Sequence, residues 1–330
     1  MDTMKSSQET GSAPLKGHHN IPASVSIVIP CYNAQSYVSQ AINSVLVDAA
    51  EVIAVDDGST DGTLSVLQSF NEHIFLKTGP NQGACSARNE GLAMARGKYV
   101  MFLDADDWLE PDTLLGLVSR LEETGAKMAI APVVRSNLQG NRSPFRVPRT
   151  ENLDYFLSDW LSGRYLPPCG ILWRANFVRS IGGWNEALSK NQDGDLVLRA
   201  AQNGAQTVRS KIGCSVYRDH DGIDRISNTI SETKLRDSFA VTRDACDRAS
   251  QSGPLSEELN AAFSRATHAL ERLAAQNGIP DALRDFGAFR ASRGWPKAEG
   301  GFAHTTASHL LGLRRKENLA LFARKIIGKK

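Results

Sequence analysis

The chain has 330 residues, with 38 Lys and Arg against 36 Asp and Glu and a formal net charge of +2. Hydrophobic residues at 41% and charged residues at 22% match a soluble globular protein and exclude an intrinsically disordered or collagen-like chain. Charge this close to neutral also argues against nucleic acid as the main partner, because dedicated binders carry a basic excess.

Residues 1–21 read as a flexible tail without the apolar core of a signal peptide. Val25, Ile27 and Ile29 then alternate in a strand that ends at Pro30. Asn33 is expected to cap a helix carrying Tyr37, Val38, Ala41, Ile42, Val45 and Leu46. Residues 51–55 form the next strand, stopped by the turn-rich run 56–62, where Asp61 is expected to cap a helix holding Leu64 and Leu67. A short strand near 74–77 precedes a helix over 83–96, which Gly97 terminates. Residues 98–103 form a strand, Pro111 suits the first turn of a helix reaching 123, and residues 127–134 read as one further strand. This alternation predicts an α/β fold with a mainly parallel sheet and helices on both faces. The pattern weakens after the Pro- and Arg-rich stretch 143–149. A helix over 174–181 is expected to stop at Gly182-Gly183, with Trp184 in the loop that follows. Another helix holds Leu196, Val197 and Ala200, and a strand covers 212–218. From about 229 the sequence reads as helical, with Leu255, Leu259, Phe263, Ala266, Leu270 and Leu273 in one stripe.

Five cysteines (Cys31, Cys85, Cys169, Cys214, Cys246) are scattered without a C-x-x-C pair, which fits a reducing, cytoplasmic setting. No apolar run is long enough to span a bilayer, which takes about 18 residues or more.

Ligands of parallel sheets bind beyond the carboxyl ends of the strands. Three polar clusters follow strand ends directly: residues 31–33, 56–61 and 104–107. Asp104, Asp106 and Asp107 crowd carboxylates that need a proton or a cation, and oxygen ligands suit Mg²⁺ or Mn²⁺. A solvated turn is the alternative. Asp57 begins a stretch that mimics a calcium loop, but Gln68 stands at the twelfth position where a bidentate Glu belongs, which rejects an EF-hand. Small residues from Gly83 to Ala87 permit close backbone approach, and Arg88 matches phosphate oxygens; helix packing is the competing reading. No glycine-rich dinucleotide or P-loop motif occurs.

Pro30-Cys31-Tyr32-Asn33, VDDGSTDGT (55–63) and NQGACSARNEGLAMARGKYVMFLDADDW (81–108) together resemble the family 2 glycosyltransferases of the GT-A fold. The resemblance covers residues 24–227 and implies a GT-A domain over 22–228, then a helical region over 229–330. It implies transfer of a sugar, with inversion, from a nucleoside-diphosphate donor, for which a UDP-sugar is the expected choice. Pro30, Tyr32 and Asn33 would line the base pocket, with Tyr32 stacking on the ring and Asp57 accepting from the base. Arg88 would lie near the diphosphate, Asp104 and Ala105 near the ribose or sugar, and Asp106 on the metal, an Mg²⁺ or Mn²⁺ ion. Asp193 resembles the general base, with Asp195 second because it could simply cap the next helix. Gln192 departs from the Glu that commonly precedes this base. Trp184 resembles the aromatic residue beside the acceptor, with glycine flanks favouring exposure over a core position. Arg218 and His220 resemble the motif that approaches metal and diphosphate.

The acceptor implied is a saccharide or lipid-linked saccharide in surface polysaccharide synthesis, extended without processive synthesis because no QxxRW motif appears. Rival readings are a nucleotide-sugar-binding module without catalysis and a sugar nucleotidyltransferase. Residues 310–330 hold seven cations against Glu317, a net of +6. Leu319, Phe322, Ala323 and Ile326 share a helical face there, as in a peripheral helix on the inner face of a membrane or a helix docked on the body.

Overall fold

A computed structural model describes residues 25–49, 51–219, 230–251 and 253–296. Strands and helices alternate first as β1 (Val25–Cys31), α1 (Val38–Asn43), β2 (Glu51–Asp57), α2 (Thr63–Gln68), β3 (Phe75–Gly79), α3 (Ala84–Met94) and β4 (Tyr99–Phe102). There follow β5 (Trp108–Leu109), α4 (Thr113–Thr124), β6 (Met128–Ile130), β7 (Val133–Asn137) and β8 (Arg142–Pro144). Next come α5 (Leu153–Leu161), β9 (Ile171–Arg174), α6 (Ala175–Ser180), α7 (Gln192–Gln202), β10 (Thr207–Arg209) and β11 (Ser215–Asp219). Three helices complete the described chain: α8 (Glu232–Gln251), α9 (Glu257–Gln276) and α10 (Pro280–Ser292).

The larger sheet runs β10-β6-β9-β4-β1-β2-β3. Its pairs are parallel except those of β9, which lies antiparallel to both β4 and β6. Successive side chains point to opposite faces, and both faces are covered. Val28, Ile53, Val100 and Phe102 pack on one side, while Ile27, Ile29, Val52, Ala54 and Met101 pack on the other. Burial on both faces explains why these strands read as nearly continuous apolar runs.

Register decides where the polar clusters meet. Cys31 lies opposite Asp56, and Asp56 opposite Thr78, so β1, β2 and β3 end level with one another. Phe102 lies opposite Val28, and the Leu103 N–H donates to the Val28 carbonyl at 2.9 Å. The acidic run after β4 therefore opens onto the same edge. The convergence expected from the sequence is present.

Three expectations change. Residues 127–134 form two strands, because Pro132 cannot donate to a ladder and the chain there leaves the large sheet. The second piece, β7, enters a small sheet of order β5-β11-β7-β8. Ile171–Arg174, unassigned from the sequence, inserts as β9 between β4 and β6. The helix α5 was also unassigned, although Asn152 caps it by accepting from the Tyr155 N–H at 2.8 Å.

The helical region expected from 229 shares the main core. Val241, Ala245, Cys246, Leu259, Phe263 and Trp295 join Phe156, Leu157, Trp160 and Leu196 in one cluster. Between α9 and α10, the buried Glu271 carboxylate accepts from Arg290 Nε at 2.9 and 3.0 Å and lies 3.0 Å from His268 Nδ1. No helix among the described residues is long and apolar enough to cross a membrane. The tail 1–21, the boundary at 228, His220 and the basic segment 310–330 lie outside the described residues.

Candidate active site

Two loops are zipped together at the ends of β1 and β2. The Asn33 N–H donates to Ser59 Oγ at 3.0 Å, and Asn33 Oδ1 accepts from the Thr60 N–H at 2.8 Å. This corrects the helix cap expected of Asn33: α1 starts later, at Val38, and the Asn33 side chain latches the neighbouring loop. Asn33 has φ 49°, a left-handed conformation that Asn tolerates better than most residues. Asp61 does act at the start of α2, where its Oδ1 accepts from the Thr63 N–H at 2.9 Å. Burial works against its charge, but hydrogen bonds from Thr63 and Gln35 hold its carboxyl below the usual range. Gly58, at φ 71°, lets this loop pass close to the next: an added Cβ would lie 2.7 Å from the Asn81 backbone nitrogen.

Asp57 is buried and already committed on both oxygens. Its Oδ1 accepts from the Gln82 N–H at 2.7 Å and its Oδ2 from the Gly83 N–H at 2.9 Å, fixing the loop that starts α3. Beside these loops Tyr32 is 51% exposed, which leaves its ring a face for stacking. Pro30 is half-buried and Ala105 is buried.

Helix α3 brings Arg88 beneath the acidic run. Arg88 is buried, its Nη2 donates to Asp104 Oδ1 at 2.6 Å, and its guanidinium lies 4.4 Å from the centroid of the Trp184 ring. Its Nη1 also reaches Gln192 Oε1 at 3.4 Å. Burial opposes the charge on Arg88, but the Asp104 and Asp193 carboxylates more than compensate and raise its pKa.

The acidic run divides its labour. Asp107 is buried, and its Oδ1 accepts the Arg218 N–H at 2.9 Å. Burial, and then the Asp106 and Asp104 charges, push the Asp107 carboxyl well above the ordinary range. Arg218 Nε donates to the Asp106 carbonyl at 2.8 Å, with the guanidinium over the Trp108 ring at 4.6 Å. Asp106 itself is partly exposed. No group of three His, Cys, Asp or Glu side chains among the described residues could hold a metal. A cation on Asp106 would complete its shell with substrate oxygens, a habit of Mg²⁺ bound through one or two carboxylates. A partly exposed Asp106 carboxylate with Asp104 and Asp107 beside it has the oxygen chemistry that such an ion takes.

Asp193 lies in the first turn of α7, after Asn191 at φ 60°. Burial pushes its carboxyl up to about 6; Arg88 and Lys190 lower it, while Asp104 raises it. Asp195, the second candidate for the base, is instead held by Arg199, whose Nη2 and Nε donate to Asp195 Oδ2 at 2.6 and 2.8 Å. Arg199 also donates to the carbonyls of Ile181 and Gly183 at 2.7 Å each, so this pair braces the glycine turn.

Trp184 requires a correction. It is 3% exposed, meets Phe102 edge-on with centroids 5.1 Å apart, and lies under Arg88. Gly182 and Gly183, at φ 86° and 63°, turn the chain inward. Asn89 then clamps the Trp184 backbone, donating to its carbonyl and accepting from its N–H, both at 2.9 Å. Glycine flanks signalled a turn, not exposure. Sequence reasoning also missed Asn89 and the contact of Gln192 with Arg88. The signal for Gln192 was its place beside Asp193.

Residues 26–180 match the family described as "Glycosyl transferase family 2". The chain is 29% identical over 236 residues to the chondroitin synthase of Pasteurella multocida, covering 70% of this chain and 24% of that one. It is 42% identical over 99 residues to the putative teichuronic acid biosynthesis glycosyltransferase TuaG of Bacillus subtilis, covering 27% and 38%. It thus spans about a quarter of the first relative and well under half of the second. Residues 1–349 of S. aureus TarS, solved in complex with UDP-GlcNAc, superpose with a TM-score of 0.66 at 18% identity, covering 92% of each chain. That likeness shows a shared GT-A fold. Residues 26–180, from β1 to α6 and a little under half of the chain, match glycosyltransferase family 2, within the fold that TarS shares.

Proposed function

We propose that this protein transfers a single sugar from a nucleoside-diphosphate donor to an acceptor hydroxyl, inverting the anomeric carbon, with Asp193 as general base. One observation carries the reading. In the first turn of α7, Asp193 follows Gln192, whose Oε1 accepts from Arg88 Nη1 at 3.4 Å while Arg88 Nη2 holds Asp104, so the base stands beside the donor motifs, its carboxyl raised by burial to about 6. A carboxylate of that pKa is mostly ionised at neutral pH and is a stronger base than an ordinary aspartate.

Each group then has a task. Tyr32 stacks on the base, in a pocket edged by Pro30, Asn33 and Asp57. The Asp57 oxygens keep a second lone pair each for the base. Arg88, Asp104 and Ala105 face the ribose, diphosphate and donor sugar. Asp106, with His220 as the further ligand implied by family resemblance, would hold Mg²⁺ or Mn²⁺, which when bound supplies Lewis acidity toward the leaving diphosphate. Asp193 takes the proton of the acceptor hydroxyl as it attacks the opposite face of the anomeric carbon. One base and no protein nucleophile suffice for inversion, by the logic of inverting glycosidases.

The UDP-GlcNAc in the TarS complex supports a UDP-sugar donor. The names of the relatives, a chondroitin synthase and a teichuronic acid biosynthesis enzyme, support a saccharide acceptor in polysaccharide synthesis; a lipid-linked acceptor at the cytoplasmic face of a membrane is implied by the family resemblance alone. The test is Asp193→Asn against a panel of UDP-sugars with Mn²⁺. Transfer should fall at least 100-fold with donor affinity unchanged, since positioned bases contribute roughly 10²–10⁴. Retained transfer would overturn the assignment. Tight donor binding by the wild type without turnover, acceptors present, would favour a binding module.

A further inference from the structure

A second concavity, of about 200 Å³, lies on the small sheet and is lined by Arg135, Phe145, Arg146, Gly163 and Tyr165 among others. Arg135 lies on β7 opposite Tyr217 of β11, and the Phe145 and Tyr217 rings meet edge-on with centroids 5.5 Å apart. The Arg135 guanidinium covers the Phe145 ring at 5.0 Å and lies 3.6 Å from an Asp219 oxygen, which offsets part of its charge. Arg146 is exposed and makes no ion pair among the described residues, and Tyr165 is 52% exposed. A Cβ added at Gly163 would meet nothing within 4 Å, so the mouth is open there. The concavity therefore joins two guanidinium groups to an accessible aromatic face, with no carboxylate in its lining.

The two faces of the small sheet divide its position from the donor site. Arg218 points toward Asp106, Tyr37 and Trp108, on the donor loops. Its neighbour Tyr217 points the other way, as alternation in a strand requires. Phe145 and Tyr217 pack on the same hydrophobic cluster as Leu196 and Val197 of α7, the helix that carries Asp193. The concavity thus opens on the face of the small sheet turned away from Arg218 and the donor loops. Guanidinium groups pair well with carboxylate and phosphate oxygens, and a tyrosine ring offers a flat apolar surface.

We infer that this concavity holds an anionic group, carboxylate or phosphate, of an acidic acceptor saccharide, away from the hydroxyl that reacts. The inference rests on the glycosyltransferase reading, so UDP binding is measured alongside. Calorimetry on the whole protein would compare a tetrasaccharide alternating uronate and hexosamine, its carboxyl-reduced neutral counterpart, and a polyol-phosphate tetramer. At least one anionic ligand should bind tenfold or more tightly than the neutral one, and which one identifies the anion. Arg146→Gln and Tyr165→Ser, both at exposed positions, should each weaken that binding at least fivefold while UDP affinity stays unchanged. Equal binding of charged and neutral chains, no binding of either anion, or unaffected variants would overturn the inference. Failure of the wild type to bind UDP would count against the donor reading instead.

Discussion

The nucleotide loops and the region around Asp193 use acidic residues in opposite ways. Around β1 to β3, two carboxylates are absorbed by structure: Asp57 grips two backbone N–H groups, and Asp61 holds the start of α2. Hydrogen bonding of this kind favours the ionised form, and Asp61 is shifted downward accordingly. Around α3, β4 and α7 burial acts against the charge of two carboxylates. Arg88 answers Asp104 directly, and both Asp107 and Asp193 are shifted upward. A carboxylate such as Asp61, held ionised by hydrogen bonds at a helix start, is architecture. One held partly neutral by burial is poised to exchange a proton.

The largest break in this contrast comes from Arg88→Met. It leaves Asp104 beside Asp193 without the guanidinium between them. Removing one partner of a fully buried pair costs ~3–5 kcal/mol; Asp104 is 28% exposed, so chemical denaturation should show a loss approaching that range. Donor affinity should fall with it. Trp184→Ala tests the corrected role of that residue. A buried indole in the core predicts a loss of ~3–5 kcal/mol in the same assay. Loss of acceptor affinity with normal stability would restore a role at the acceptor. On the nucleotide side, Gly58→Ala forces a left-handed φ and a close approach to Asn81. It should cost ~1–3 kcal/mol and weaken UDP binding, leaving the pH dependence of the rate unchanged.

Much of the first half was legible because strands buried on both faces leave apolar runs, and turn-rich acidic loops interrupt them. The edge where the clusters converge could be inferred from chain order alone. Other features depend on partners distant in sequence. Ile171–Arg174 is four residues long and becomes β9 only by lying between β4 and β6. Trp184 is placed by Asn89, 95 residues earlier in the chain. The division between Asp193 and Asp195 was visible only as an ambiguity, which Arg199 resolves through geometry. The cap on α5 was readable from Asn152 and the apolar spacing after it, yet the Pro- and Arg-rich stretch before it obscured the signal.

A smaller effect separates base from brace. The folded carboxyl of Asp193, near 6, lies above the ordinary value of 3.8. Ionising it therefore costs the folded state stability as pH rises between those values. Asp193→Asn removes that cost, so at neutral pH the variant should melt at or above the wild type. The difference should vanish below about pH 4, where the wild-type group is protonated in both states. Asp195→Asn, which weakens a bracing ion pair, should melt lower.

The central claim is that Asp193 removes the acceptor proton, and the pH dependence of kcat/KM tests it most directly. With donor and metal saturating, the rate should rise as pH increases through about 6 and then level off, reporting the Asp193 carboxyl. The residual rate of Asp193→Asn should lack that limb. An acid limb near 6 that persists in the variant would assign the proton to another group and contradict the account.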